Sequence, residues 1–177
     1  MYDSEDVKTA EMYLEEQKRQ TEHITDDMPD VDISKLTDNQ RRIWVKVFSH
    51  YSRTLLHQNP PPLRINIDGT AGTGKSFLIS AITKTLNSFA AERGLGSPII
   101  RVAPTGIAAF NINGSTLHET FSIPTKCFSK LNNAQELQLQ KRLKDCKYVI
   151  LDEKSMVGRR MLHFRRNRMR CLEDAVC

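Results

Sequence analysis

Ile65-Asn66-Ile67-Asp68-Gly69-Thr70-Ala71-Gly72-Thr73-Gly74-Lys75-Ser76-Phe77-Leu78-Ile79 is the stretch that decides the fold. An apolar alternation runs into a glycine-rich turn and then into apolar residues at helical spacing. The turn fits G-x-x-x-x-G-K-[ST], with Gly69, Gly74, Lys75 and Ser76 at the fixed positions. Glycines reach backbone angles that aim successive N–H groups inward, and with a helix dipole behind them those donors form a nest for a polyphosphate. The pattern gives Gly69, Thr70, Ala71, Gly72, Thr73 and Gly74 to the phosphate cradle, Lys75 to the β and γ phosphates, and the Ser76 hydroxyl to Mg2+. A plain flexible strand-to-helix connection would not call for four fixed residues.

On the amino-terminal side, Leu63 to Asp68 reads as a strand, delivered by Gln58-Asn59-Pro60-Pro61-Pro62, which cannot continue a helix. Before it, Leu36-Thr37-Asp38-Asn39-Gln40 opens a helix with Ile43, Trp44, Val47, Phe48 and Tyr51 on one face. Thr37 and Gln40 make a capping box; the competing role for Gln40 is a hydrogen bond to an adenine edge beside the phosphate loop, and the two are compatible. Further back, residues 1–32 hold 11 Asp and Glu against 3 Lys and Arg, about −8, which leaves 23 against 10, about +13, for the rest of the 177 residues. The acidic leader, residues 1–34, is expected to be disordered. The basic body suits either a polyanionic partner such as nucleic acid or a solvated basic surface.

On the carboxyl-terminal side, Phe77, Leu78, Ile79, Ala81, Ile82 and Leu86 keep helical period to about Ala91, and Gly94-x-Gly96 stops it. Ile99, Ile100, Val102 and Ala103 form the next strand, parallel to the first. Ala103-Pro104-Thr105-Gly106-Ile107-Ala108-Ala109-Phe110 then starts a helix at the carboxyl end of the sheet, where α/β proteins bind ligands. Thr105 and Gly106 there are either a plain cap or a seat for a nucleic-acid phosphate. Asn111 to Gly114 ends that helix, and Ser115 or Thr116 caps the next. Residues 123–135 read as a surface excursion, and Leu137, Leu139 and Leu143 as a solvent-facing helix ending near Cys146.

Tyr148-Val149-Ile150-Leu151-Asp152-Glu153 is an apolar strand ending in two acids. Alone this is a weak signal; beside a phosphate loop it places Asp152 in a Mg2+ shell and Glu153 against the water that attacks the γ phosphorus. The Arg-dense run from Gly158 to Arg170 is either a nucleic-acid contact or a helix lacking its partner. No apolar run nears the ~18 residues of a spanning helix, and the acidic start does not resemble a secretory signal. Four scattered cysteines and five scattered histidines have no metal-ligand spacing. An intracellular, reduced protein without a membrane partner is expected.

With these residues in place, the chain resembles the petite integration frequency (PIF) type of superfamily-one DNA helicase. The matching pieces are L-T-D-N-Q at 36–40, G-T-A-G-T-G-K-S at 69–76, A-P-T-G-I-A-A-F-N-I-N-G-S-T-L-H at 103–118 and L-D-E-K-S-M-V-G-R-R-M-L at 151–162. The resemblance implies an incomplete RecA-like P-loop NTPase domain of α/β class over residues 35–164, with a mainly parallel sheet flanked by helices and an Arg-rich tail at 165–177. It implies an ATP-dependent DNA helicase moving 5′ to 3′ on single-stranded DNA, serving DNA repair, recombination, telomere or genome maintenance in the nucleus or mitochondrion. By that resemblance Gln40 reads adenine, Lys75 and Ser76 handle phosphates and Mg2+, Thr105 and Gly106 touch the DNA backbone, and Asp152 and Glu153 serve hydrolysis.

Two departures qualify it. Lys154 stands where the family usually has an apolar residue, adding a cation beside the catalytic acid that is expected to damp hydrolysis. The second RecA-like domain and its arginines have no counterpart in the chain, and an arginine finger is worth about 10³–10⁵ in rate, so a fragment that binds ATP without unwinding alone is expected. The alternative function is an ATP-binding nucleic-acid or protein interaction module without helicase turnover. A small kinase or GTPase is disfavoured, since no Asn-Lys-x-Asp motif occurs.

Overall fold

Every backbone N–H and C=O of these segments needs a partner, and the apolar periods fix which partner each can have. A computed structural model describes residues 31–123, 132–158 and 161. The leader up to residue 30, the excursion at 124–131 and almost all of the Arg-rich end lie outside the described residues, so the expectations placed on them are not addressed.

Helix α1 spans Asp38–Leu55, and both halves of its capping box are formed: the Thr37 hydroxyl accepts from Gln40 N, and the Gln40 side chain accepts from Thr37 N. Its inner face buries Val47 and Tyr51, and Trp44 Nε1 donates to Thr85 Oγ1 at 2.9 Å on the next helix. Helix α2, Lys75–Ala91, follows the glycine turn and buries Leu78, Ile79, Ala81, Ile82, Thr83, Leu86 and Ala90. The buried leucine and isoleucine side chains contribute about 1.5–3 kcal/mol each when removed from water. The α1–α2 contact is therefore a major source of the fold's stability.

Strand β1, Ile99–Ala103, is the centre of a three-stranded parallel sheet in the order β2-β1-β3. Helix α3 (Gly106–Asn111) carries the chain from β1 to β2 (Ser115–Thr116); α4 (Leu117–Thr120) and α5 (Asn133–Leu143) precede β3 (Tyr148–Leu151) on the other side. Val102 stands opposite Ser115 on one edge and Leu151 on the other. Period-two alternation then sorts the sheet's faces. Ile99, Ala103, Tyr148 and Ile150 pack with α1, α2 and α3; Ile100, Val102, Val149 and Leu151 pack with Leu117, Phe121, Leu139 and Leu143 from the α4 to α5 side. Helices thus cover both faces of a parallel sheet, the arrangement of a partial RecA-like α/β domain.

Three expectations need correction. Leu63 to Asp68 forms no strand and no ladder with β3. Alternation marks a stretch fit for a sheet, but pairing needs a neighbour's edge in register. Here Ile65 and Ile67 stay 37% exposed, and the segment is attached by side chains at its carboxyl end. Ser115 and Thr116 are a strand as well as a helix start, and Thr116 is the residue that caps α4. Helix α5 is not merely solvent-facing, because Leu139 and Leu143 are both 3% exposed while Leu137 is 53% exposed. Gly114 makes the tight approach of β2 possible: a Cβ there would lie 2.9 Å from the Arg101 carbonyl carbon.

Candidate nucleotide site

The loop between Asp68 and α2 turns on two glycines in the left-handed region, Gly72 at φ 79° and Gly74 at φ 77°. Gly74 is also the residue before α2, and no side chain caps that helix, so its first-turn N–H groups face outward without a side-chain acceptor. A side chain at Gly74 would be strained at that φ, and its Cβ would lie 2.7 Å from Gln40 Nε2, so the Gln40 amide would have to move off the loop. Lys75 Nζ donates to the carbonyls of Gly69 and Thr70, each at 2.7 Å, folding the ammonium across the loop. Thr73 Oγ1 donates to Thr70 O at 2.9 Å and closes the turn.

Gln40 reaches this loop from α1. Its Nε2 donates to Thr73 O at 3.2 Å and Gly74 O at 3.3 Å, while its Oε1 holds the cap of its own helix. Both amide atoms are engaged. The capping expectation holds, and a contact with the loop joins it.

The acidic turn follows β3. Asp152 N donates to Val102 O at 3.0 Å, extending the ladder by one bond, and Asp152 Oδ1 accepts from Glu153 N at 3.0 Å. Glu153 sits at φ 48°, ψ 45°, an uncommon conformation for a residue with a side chain, and leads into a single 3-10 turn, Lys154–Met156. Asp152 is half-buried and Glu153 exposed.

Lys154 links the two halves. Its ammonium donates to Asn66 Oδ1 and, at 2.7 Å, to Asp68 Oδ1, and Asn66 Nδ2 donates to Asp68 Oδ2 at 2.8 Å. The residue just before Gly69 is thereby tied to the residue just after Glu153. The Lys154 hydrogen bond and charge hold the Asp68 carboxyl below its ordinary 3.8. The cation expected beside Glu153 is thus directed elsewhere, and among the described residues it makes no ion pair with Asp152 or Glu153. Sequence reasoning singled out Lys154 but could not find its partners, 86 and 88 residues away.

Thr105 Oγ1 accepts from Ala108 N at 3.3 Å and caps α3, and Gly106 is exposed. No hydrogen bond among the described residues joins them to the phosphate loop. Sequence reasoning missed the neighbouring pair Ile107 and Phe110, each 80% exposed, whose i, i+3 spacing was the available signal. Ser76 is exposed, and its hydroxyl makes no hydrogen bond among the described residues. Asp152 accepts only from Glu153 among them. A free hydroxyl and a carboxylate are hard oxygen donors of the kind Mg2+ takes together with phosphate oxygens, so the residues fit that ion. Cys146 is a free thiol that burial pushes up to about 11, an inert packing group rather than a nucleophile.

The sequence model of the PIF1-like helicase family matches residues 35–173. Among curated proteins the chain is similar to the ATP-dependent DNA helicase PIF4 of Trypanosoma brucei brucei, 44% identical over 57 residues, covering 32% of this chain and 6% of that protein. It is 36% identical over 100 residues to the ATP-dependent DNA helicase RRM3 of Saccharomyces cerevisiae, covering 53% and 13%. It is 36% identical over 95 residues to the ATP-dependent DNA helicase PIF1 of Xenopus laevis, covering 50% and 13%. The chain therefore spans between 6% and 13% of the length of these relatives.

Proposed function

Since the chain belongs to the PIF1-like helicase family, we propose that it is the nucleotide-binding part of an ATP-dependent DNA helicase. The observation that carries this reading is the joining of the glycine loop to the acidic turn through Asp68 and Lys154. In this proposal the loop N–H groups and the α2 terminus hold the phosphates. Lys75 exchanges its Gly69 and Thr70 carbonyls for the β and γ phosphate oxygens, and Gln40 holds the loop through Nε2 while the second lone pair of its Oε1 accepts from the adenine amino group. Ser76 and Asp152 would hold Mg2+, which would supply charge neutralisation at the phosphates. Glu153 orients a water and takes its proton as the water oxygen bonds to the γ phosphorus; the bond to the bridging oxygen breaks, leaving ADP and phosphate. Thr105 and Gly106 contact the backbone of single-stranded DNA, and the whole protein couples turnover to 5′-to-3′ movement in repair or recombination, in the nucleus or the mitochondrion.

Titration of the chain with a fluorescent ATP analogue and Mg2+ tests the nucleotide half. Lys75→Ala should weaken binding about 10- to 100-fold, the equivalent of a lost charged hydrogen bond, and Glu153→Gln should bind normally while hydrolysing nothing. Wild-type affinity in Lys75→Ala would overturn the site. Tight binding with no turnover, even in a longer protein given single-stranded DNA, would favour the interaction module over the motor.

A further inference from the structure

The outer face of α1 has a second feature that the nucleotide site does not use. Arg42, Lys46 and Arg53 lie along it, and with Arg64 they line a groove of about 560 Å3 whose other wall is the proline run Pro60–Pro62. All four cations are exposed, and among the described residues none has an acidic partner; Arg53 makes a single hydrogen bond, to Gln58 Oε1 at 3.3 Å. An adjoining hollow of about 420 Å3 adds Arg41 and shares Arg42, with Asp38 as the one carboxylate on its rim. His50 fixes the proline wall. A carbonyl can only accept, so its Nε2 donates to Pro61 O at 2.9 Å, and its Nδ1 then accepts the Tyr148 hydroxyl at 2.6 Å.

We propose that this groove is a track for the phosphate backbone of a single strand of nucleic acid. Unpaired cations along a fixed line are what a polyanion's backbone recognises, and the basic body of the chain supplies the attracting field. Helical rise places Lys46 about 6 Å and Arg53 about 16 Å beyond Arg42. Steps of that length suit an extended strand better than the ~3.4 Å rise per nucleotide of a duplex strand. Val45, 49% exposed, adds apolar surface for sugar or base. The track is built from other elements than Thr105 and Gly106 and needs nothing from the nucleotide site, so it stands even if that site binds no ATP.

The test is fluorescence anisotropy of a labelled oligothymidylate with the full chain, repeated from about 50 to 200 mM salt. Neutralising Arg42→Gln, Lys46→Gln and Arg64→Gln together should reduce the slope of log affinity against log salt by about 2, since each single-strand phosphate contributes about 0.7. Affinity should fall about 100-fold near 0.1 M salt, with ATP-analogue binding and the melting temperature unchanged. The charge-keeping variant Arg42→Lys/Arg53→Lys/Arg64→Lys should retain the slope. Lys141→Gln/Lys144→Gln/Lys147→Gln, which removes the same charge on the α5 side of the sheet, should change it by less than half as much. An unchanged slope in the groove variant, or an equal fall in the α5-side variant, would overturn the proposal.

Discussion

Gln40 is the residue whose removal separates helix capping from loop holding. Its Oε1 serves Thr37 N at 3.0 Å, and its Nε2 serves the carbonyls of Thr73 and Gly74 at 3.2 and 3.3 Å. Thr37→Ala takes away only the hydroxyl that accepts from Gln40 N, a long bond at 3.4 Å on an exposed helix start. Its cost should fall at the low end of cap losses, about 0.5–1 kcal/mol, lowering the melting temperature by roughly 1–4 °C for a unit of this size. Gln40→Ala loses the reciprocal cap bond, so its thermal penalty should be similar, but it also frees two loop carbonyls. Two neutral, partly exposed hydrogen bonds are worth about 1–2 kcal/mol together, which converts to nucleotide binding about 5- to 30-fold weaker. Thr37→Ala should leave that affinity within about twofold.

Parallel thermal melts and titrations with fluorescent ATP and GTP analogues and with inorganic triphosphate decide it. Equal losses for all three ligands would make Gln40 a holder of the loop alone, and a loss confined to the adenine nucleotide would add base reading. If Thr37→Ala weakened nucleotide binding as much as Gln40→Ala, or if Gln40→Ala had no effect, the idea that this amide fixes the loop would be wrong.

Other consequences follow from single contacts. Gly114→Ala would press a methyl onto the Arg101 backbone and should destabilise the fold by about 1–3 kcal/mol, read in urea melts; a neutral effect would mean that β2 does not pack as closely as described. Arg101 is mid-strand with Nη1 buried and unpartnered, and burial lowers its pKa. Arg101→Met keeps much of the stem and removes the unmet donor, so it should raise stability by about 1 kcal/mol, whereas a loss would reveal a partner for the guanidinium. Asp68 should titrate by NMR below 3.8, and Lys154→Ile should bring the midpoint back up to the ordinary range. Because the folded value is depressed, the ion pair contributes above the ordinary carboxylate pKa and is lost as pH falls through the lowered one. An Asp68 midpoint that ignored Lys154→Ile would remove the link between loop and acidic turn.

Local rules carried the helices and the loop into view. Ile43, Trp44, Val47, Phe48 and Tyr51 share a face because 3.6-residue periodicity puts them there, and Thr37 with Gln40 formed the cap that their spacing requires. Gly72 and Gly74 occupy the left-handed angles the motif calls for. What stayed hidden depends on distance along the chain. The two-residue strand Ser115–Thr116 exists because β1 offers it an edge, and two hydroxyl residues carry no alternation of their own. Likewise Arg101 reads as a break in an apolar strand, and only the folded sheet shows its guanidinium half-buried.

The same distance effect explains why the nucleotide loop is held as it is. Without a backbone ladder along Leu63 to Asp68, the segment is held at its start by Leu63 against the core and by His50 on the Pro61 carbonyl. A side chain clips each end: Lys154 holds Asp68 just before the first glycine, and Gln40 holds Gly74, the last one. The clips arise from the β3 side and from α1, so a shift of either element relative to α2 must strain the loop. Lys154 brings a positive charge to the acidic turn, but its ammonium is paired with Asp68 at 2.7 Å. Lys75 keeps its own contacts inside the loop, with the Gly69 and Thr70 carbonyls. The expected effect of the lysine on nucleotide binding therefore runs through where it holds Asp68 rather than through the charge it adds. The isosteric Lys154→Met should loosen the loop and weaken nucleotide affinity rather than release a damped hydrolysis; faster turnover at unchanged affinity would show the charge to matter instead.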